Sequence, residues 1–373
     1  MSEINLKPGC VKECPACPHR NLPMNESLAQ KQQWLEKKLG EFAFLLQHIR
    51  SATEEQRWNY RRKVCLAADF SEDGWRTGIR KRDSIIAIHD CPVQNEMINR
   101  NIQLLTRRLP LPEGFPLAYF IQSGAQITLV VKSREMVDMS WLDNKLRSAF
   151  ESNGVEGFWL HMHPSTGKKI YGKGGWQLVF GKSRSLTHDN LVYGPSSFQQ
   201  VLPGLYNDSL EAAVDFLSPG SNHTVIDLYC GIGASLRKWS ETGATVIGVE
   251  LGGEALECAK INVPQATLLR GTCAQRIPQL NEYISQSASQ GKGISLYANP
   301  PRTGLEKEVS EWIAAQLKPG KIAYLSCSAG TLYRDLVFLS KNGFKVQSII
   351  PYDFFPQTLH VEMLALIESN NNS

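Results

Sequence analysis

The stretch TVIDLYCGIGASLRKWSETGATVIGVE, Thr224–Glu250, decides the fold. Thr224–Leu228 is an apolar run interrupted only by Asp227, and it stops at Tyr229-Cys230-Gly231-Ile232-Gly233. Such a run ending in glycines reads as a buried strand. Ala234–Glu241 then has a helical pattern, and Ala244–Val249 is a second strand ending in Glu250. Strand, glycine turn, helix and strand make the repeating unit of a parallel α/β sheet. The glycines let a ligand approach the backbone, and Glu250, 17 residues after Gly233, stands where ribose hydroxyls can be reached. A dinucleotide site wants G-x-G-x-x-G, but here Gly233 is followed by Ala234, Ser235 and Leu236. Asp227 ahead of one short G-x-G fits S-adenosylmethionine better than a pyrophosphate.

Working outward, Asn207–Leu217 reads as a helix leading into this unit, and the same grammar continues after it. Ile294–Ala298 is a strand ending in Asn299-Pro300-Pro301-Arg302-Thr303-Gly304-Leu305. Two prolines lock that loop at the carboxyl edge of the sheet, where α/β folds bind ligands, and Asn299 offers a donor and an acceptor there. Lys321–Ser326 is a further strand, preceded by the turn Lys318-Pro319-Gly320. Thr331–Leu339 is helical, with Thr331 placed as its cap. Cys327 therefore sits between a strand and the start of a helix, where backbone N–H groups and the helix dipole are expected to favour thiolate. Glu362 follows the strand-loop Phe354–His360 and precedes the apolar run Met363–Ile367. A carboxylate there is expected to be partly desolvated, with a pKa raised toward a base's working range.

The front half reads differently. Asn25–Ile49 has the spacing of one helix, and Tyr60–Ala68, Gly78–Ile88, Leu117–Ile121, Ile127–Val131, Phe158–His163 and Gln177–Phe180 read as strands. Residues 1–190 carry 27 Lys/Arg against 20 Asp/Glu, and residues 191–373 carry 13 against 16. Lys63, Lys168, Lys169 and Lys173 are among basic residues interleaved with Tyr60, Trp75, Trp159, Tyr171 and Trp176. Bases can stack on such rings while lysines take phosphates, so this segment is expected to hold a polyanion.

Nine cysteines, an odd number, argue against a complete disulfide framework. Cys10, Cys14 and Cys17 form a C-x3-C-x2-C array in a Pro/Gly loop, which suggests a metal or iron–sulfur centre. Cys91, left on a loop by Pro92, is the expected fourth ligand, whereas Cys65 fits a core position. Four thiolates satisfy either a structural zinc or a [4Fe–4S] cluster. No apolar run approaches the roughly 20 residues of a membrane helix, and the first residues lack a signal-peptide pattern. A cytoplasmic protein without membrane partners is expected. The expected division is a cysteine segment with its helix over 1–56, a β-rich α+β domain over 57–190, and an α/β domain over 191–373.

The ordered set DLYCGIG (227–233), NPPRTGL (299–305), SCSAGTL (326–332) and FPQTLHVEML (355–364), with PSSFQQ (195–200) and DCP (90–92), resembles the RNA uracil-5-methyltransferases. The resemblance runs over nearly the full length and is closest to the RlmC-type 23S rRNA branch, including the lack of an appended N-terminal barrel. It implies a class I S-adenosylmethionine-dependent methyltransferase domain (Rossmann-like), preceded by the cysteine segment and a central RNA-binding domain. It places Gln200, Tyr229, Glu250 and Asn299 at the cofactor, beside Asp227, Gly231 and Gly233 from the residue reading. It puts Cys327 as nucleophile, Glu362 as base, and Cys10, Cys14, Cys17 and Cys91 on a [4Fe–4S] cluster. In place of the family's Gln-x-Asn this chain has Gln200-Val201-Leu202, and Ser328 replaces the Asn that usually follows the nucleophile.

The residues account for that chemistry. C5 of uracil is too weak a nucleophile to take a methyl group until Cys327 adds to C6, and a base must afterwards remove the C5 proton. The expected partner is RNA, placed by the resemblance as 23S rRNA, with no DNA, and the chain is expected to act as a monomer. Transfer RNA as the substrate, or RNA binding on an inactive fold, are the alternatives. Radical S-adenosylmethionine chemistry shares the C-x3-C-x2-C spacing, but no buried strand precedes Cys10 and a separate cofactor site lies at 225–250.

Overall fold

The computed structural model describes residues 6–82, 84–166, 169–172 and 174–370. The chain divides into two compact units, one made of the residues up to Asn21 with Glu54–Val201, the other of Leu22–Thr53 with Leu202–Ser373. Lys168 and Lys173 lie outside the described residues.

The first unit is built on a seven-stranded sheet. Chain order gives β1 (Lys63–Ser71), β2 (Gly74–Lys81), β3 (Ser84–Ala87), helix α2 (Glu96–Thr106), β4 (Leu117–Ser123) and β5 (Gln126–Val131). Helix α3 (Asn144–Ser152), β6 (Gly157–Met162), β7 (Trp176–Gly181), β8 (Ser185–Leu186) and β9 (Val192–Tyr193) follow. The sheet order is β3-β2-β1-β4-β5-β6-β7, with β8 and β9 pairing separately. All neighbours are antiparallel except β5 and β6, whose connection carries α3. The single strand expected over 78–88 is instead parts of β2 and β3, with Arg82 between them at φ 54°. Helices α2 and α3 escaped the sequence reading although each has a capping side chain: Asn95 Oδ1 accepts from Met97 N–H and Asp143 Oδ1 from Leu146 N–H. They bury Ile98, Ile102, Leu105, Leu146 and Phe150 in one core with Phe120, Leu129 and Phe158. Cys65 is exposed on β1 rather than in that core.

In the second unit the helix expected over 25–49 is shorter. It runs as α1 (Met24–Leu39), then breaks at Gly40, φ 51°, into a 3₁₀ segment Gly40–Leu45. Leu46 and Arg50 then bridge in parallel to Ile349 and Tyr352 at the sheet edge. The α/β part runs α4 (Pro203–Leu217), β10 (His223–Leu228), α5 (Ala234–Glu241), β11 (Thr245–Glu250), α6 (Gly253–Asn262), β12 (Thr267–Arg270) and α7 (Cys273–Ser289). It continues β13 (Gly293–Ala298), α8 (Lys307–Trp312), β14 (Lys321–Ser326), α9 (Ala329–Lys341), β15 (Phe344–Tyr352) and β16 (Glu362–Ser369). Sheet order is β12-β11-β10-β13-β14-β16-β15; β16 is antiparallel to both neighbours and the other pairs are parallel. This is the expected Rossmann-like α/β class. The strand order reverses between β10 and β13, and open α/β sheets bind ligands in the crevice beyond such a switch point. No helix among the described residues is long and apolar enough to cross a membrane.

Candidate active site

The switch point sets the first group of residues. Leu228 and Ala298 are register partners, so Tyr229 and Asn299, the next residue on each strand, emerge side by side at the carboxyl edge. Tyr229 takes a left-handed φ of 62°, uncommon for a bulky side chain and typical of functional turns. Gly231 follows at φ 56°, and a Cβ built on it meets nothing within 4 Å, which leaves its backbone open to a ligand. Glu250, ending β11, ties the crevice together: Oε2 accepts from Gly231 N–H at 3.0 Å and Oε1 from Gly252 N–H at 2.6 Å. Each carboxylate oxygen keeps a lone pair for a further donor. Gly233 caps α5 at φ 86°, and a Cβ built on it would stand 3.4 Å from Ala259 and Val263.

Asp227 has no exposed surface. Trp239 Nε1–H donates to its Oδ2 at 2.9 Å, and Oδ1 is buried without a hydrogen-bond partner. Burial pushes its carboxyl up to about 7, against the hydrogen bonds it accepts. Through Trp239 the carboxylate is tied to helix α5, which follows the glycine loop.

The second group sits one and two strands along. Ser326 on β14 is the register partner of Met363 on β16, so one step further sets Cys327 opposite Glu362. Glu362 is the first residue of β16, 4% exposed, with Oε2 buried and without a partner. Burial lifts its carboxyl to about 7, the Arg302 guanidinium opposing. The desolvation expected at Glu362 is thus present. At Cys327 the expectation fails: burial and the Glu362 carboxylate raise the thiol above its ordinary value, and Arg302 only partly offsets them. A helix end acts over about one turn and is screened, whereas a neighbouring carboxylate and lost hydration act directly on the sulfur. The cap is also reassigned, since Ser328 and not Thr331 is the N-cap of α9, its Oγ accepting from Thr331 N–H at 3.5 Å. Ser and Asn cap about equally well, so the Ser328 departure keeps this function.

Arg302 is the residue the sequence reading left without a role. Its loop is held against α9 by Asp335, whose Oδ2 accepts from Leu305 N–H at 3.0 Å and from Tyr324 Oη–H at 2.7 Å. Arg334 donates to the carbonyls of Thr303 at 3.1 Å and Leu305 at 3.3 Å, and pairs with Asp335 Oδ1 at 2.7 Å. Gly304 between them has φ 76°, and a Cβ there would come within 2.6 Å of Asp335 Oδ2. The sequence signal was a buried acid at Asp335 amid the apolar stripe Leu332, Leu336 and Leu339.

Gln200 lies at the C-terminal end of the first unit, half-buried, its Oε1 without a hydrogen-bond partner. Among the described residues no group of three or more His, Cys, Asp or Glu side chains is set to hold a metal ion. Cys10, Cys14, Cys17 and Cys91 are free, half-buried thiols in the same unit. They are nonetheless electrostatic neighbours: burial raises Cys10, Cys17 and Cys91, and thiolates of the set raise one another further. Arg20 closes the loop, donating to the carbonyls of Cys14 at 2.6 Å and Lys12 at 2.8 Å.

Residues 285–370, which carry Asn299, Arg302, Cys327 and Glu362, match the family model described as tRNA (Uracil-5-)-methyltransferase. The chain is 28% identical over 376 residues to the 23S rRNA (uracil(1939)-C(5))-methyltransferase RlmD of Shewanella woodyi, covering 97% of this chain and 82% of the relative. It is 29% identical over 386 residues to the RlmD of Pseudomonas fluorescens, covering 99% and 82%. These relatives carry the RlmD name where the motifs pointed to the RlmC type. Among solved structures, the tRNA (uracil-54, C5)-methyltransferase of Pyrococcus abyssi, in complex with S-adenosyl-L-homocysteine, shares the fold with a TM-score of 0.71 at 21% identity, over 97% of this chain and 86% of that one. In sequence along its whole length, and in fold, this chain is similar to the RNA (uracil-5-)-methyltransferases, the family its motifs resemble.

Proposed function

We propose that the protein transfers a methyl group from S-adenosylmethionine to C5 of a uridine in RNA through a covalent bond between Cys327 and C6. The observation that carries this is the pairing of Cys327 with a buried Glu362 across β14 and β16, with Arg302 acting electrostatically on both. The residues at the crevice suit the cofactor's chemistry. Gly231 leaves open backbone, Glu250 offers anchored acceptors for ribose hydroxyls, and Tyr229 and Asn299 flank the switch point. Gln200 is assigned to the same cofactor by resemblance, and Asp227 by its place directly ahead of the glycine turn. When bound, S-adenosylmethionine supplies an electrophilic methyl group on a sulfonium.

Cys327 attacks as thiolate, which Arg302 favours. Its sulfur forms a bond to C6, and the C5–C6 π electrons make C5 nucleophilic enough to take the methyl. Glu362 then receives the C5 proton; the electrons of that C–H bond re-form the C5–C6 double bond, and the Cys327 sulfur leaves C6. A base with a pKa near 7 is ionised in useful proportion at neutral pH and still a fair proton acceptor.

For the substrate we favour 23S rRNA, the RNA named for the relatives, held through the basic and aromatic first unit. We assign Cys10, Cys14, Cys17 and Cys91 to a [4Fe–4S] cluster, with zinc the alternative. The donor set fits in kind, since thiolates that raise one another's pKa are stabilised by a bound cation. Such a centre would order the loop and supplies no step of methyl transfer. We keep the three-part division at 56 and 190 as the functional one, with α1 structurally part of the second unit. Mapping 5-methyluridine in ribosomal and transfer RNA from cells with and without the gene tests the proposal. Loss of the mark from 23S rRNA is expected; loss from transfer RNA would reassign the substrate, and no loss from either would remove the activity.

A further inference from the structure

Helix α1 contains a side chain that the chemistry above does not use. Lys31 is 0% exposed along its side chain, and its Nζ lies 2.6 Å from Asp353 Oδ1 and 3.3 Å from the carbonyl of Phe355. Taking a lysine and an aspartate out of water carries a desolvation penalty that a well-placed pair only partly offsets, so such a pair is weak grounds for stability alone. What it can provide is a fixed geometry. Asp353 opens the loop 353–361 between β15 and β16, and Glu362 is the next residue after that loop.

The loop needs holding. Gln357 is fully buried at φ 66°, in the left-handed region that side chains rarely adopt. Inside the loop, Thr358 Oγ1–H donates to Phe355 O at 2.8 Å and His360 N–H to Thr358 Oγ1 at 3.1 Å, which shapes the turn. The N-terminal segment grips the loop's start from two sides: Arg50 O accepts from Asp353 N–H at 2.9 Å, and Lys31 takes the Asp353 carboxylate and the Phe355 carbonyl. Phe42, on the same segment, packs edge-on against Tyr333 of α9, the helix that follows Cys327, with ring centroids 6.0 Å apart.

We propose that Lys31 is a positioning residue for the base, its buried ammonium fixing the loop 353–361 through Asp353 and so the carboxylate of Glu362 against Cys327. This rests on the reading of Glu362 as the group that takes the C5 proton. The loop's displacement leaves sulfur addition and methyl transfer unaffected and slows only proton removal and release of sulfur from C6. Misplacement by about an ångström can lower a step's rate by roughly 100-fold.

The test uses the full chain, S-adenosylmethionine, and total RNA labelled with tritium at uridine C5, taken from cells lacking the gene. Tritium release reads proton removal, and the fraction of RNA that stays with protein on denaturing gels reads the unresolved adduct. Lys31→Met and Asp353→Asn are compared with wild type, with Glu362→Gln, and with Lys307→Met as a surface control. Expected for both loop variants is adduct formation within about three-fold of wild type, with tritium release slowed about ten-fold or more and adduct accumulating. Because a lone buried charge can unfold the protein, the double variant Lys31→Met/Asp353→Leu, which removes both charges, is measured alongside by thermal unfolding and by the same two readouts. A double variant that folds as stably as wild type and still accumulates adduct supports positioning. If it folds and releases tritium at the wild-type rate, or if none of the variants folds, the pair serves the fold only and the proposal is overturned. Normal turnover by Glu362→Gln would remove the reading of the base itself. A stalled Glu362→Gln beside a normal Lys31→Met would remove only the inference.

Discussion

The two units each carry a seven-stranded sheet, and they use it differently. In the second unit, parallel neighbours bring the carboxyl ends of β10, β11, β13 and β14 to one edge, and one antiparallel strand, β16, starts there. Tyr229, Glu250, Asn299, Cys327 and Glu362 are far apart in the chain, and each occupies the first or last position of a strand or the residue next to it. In the first unit, antiparallel pairing sends successive strand ends to opposite edges. Its candidate groups are consequently in loops, as with Cys10–Cys17 and Cys91, or spread along strands, as with Trp159 and Trp176. Strand direction decides whether chemistry can be concentrated, and the comparison implies single-residue sensitivity in one unit and distributed effects in the other.

The largest expected effect is at Cys327. Cys327→Ala should lower methyl transfer by about 1,000-fold or more and form no adduct, because a methyl side chain cannot add to C6. Glu362→Gln should instead trap RNA on Cys327, since an amide cannot take the proton. Labelled RNA on denaturing gels separates the two, and an adduct with Cys327→Ala would break the contrast between units at its strongest point.

Next is the loop that carries Arg302. Gly304→Ala places a Cβ against Asp335 and Arg334 at a left-handed φ, and should destabilise the second unit by about 1–3 kcal/mol while lowering activity. Urea unfolding of the variant, beside adduct formation in RNA, reads both. Wild-type stability would show that the loop shifts freely.

The buried carboxylates give a pH signature. Asp227 and Glu362 titrate near 7 when folded, and near 3.8 and 4.5 otherwise. The folded state therefore binds more protons in that window, and stability should fall as pH rises from about 4 to about 7. Asp227→Asn should flatten the decline, seen as a smaller change in urea midpoint between pH 5 and pH 8. Proton removal by Glu362 should rise over the upper part of the same window and level off above pH 7, because the ionised form is the base. An unchanged slope in Asp227→Asn would mean that its carboxyl is already ionised in the fold.

The smallest single effects belong to the first unit. Lys169→Glu should weaken RNA binding several-fold, with affinity falling as salt rises, and leave S-adenosylmethionine binding alone. Binding that does not respond to salt would show the basic residues to be a solvated face. Anaerobically prepared protein should contain about four irons per chain if a [4Fe–4S] centre is present. Cys91→Ser should lower that content and thermal stability more than the chemical step. One zinc and no iron would replace the cluster with the alternative.

Much of the second unit was legible because its signals are local. The run Thr224–Leu228, the pattern Ala234–Glu241 and the strand Lys321–Ser326 match β10, α5 and β14 to within a residue. Burial of β14 on both faces required an uninterrupted apolar run, and the α5 cap required Gly233. Helices α6, α7 and α8 went unread. α6 has little one-sidedness, and α7 carries Pro278 in its second turn, both of which blur a helical pattern. In the first unit, Arg82 in a left-handed turn disguised a hairpin as one strand, since arginine is not a residue that announces such a turn.

By itself the sequence determined the fold class, the crevice at the switch point, and the residue types able to add to a base and take a proton. These follow from periodicity, from glycine and proline positions, and from the chemistry of Cys and Glu, all properties of neighbours in the chain. Only the tertiary structure decided that α1 belongs with the second unit, that Asp227 is fully buried, and that burial and Glu362 raise the Cys327 thiol above its ordinary value. Those outcomes depend on desolvation and on charges from segments tens to hundreds of residues away, as with Lys31 and Asp353, and no local pattern encodes which distant groups will share a dry site.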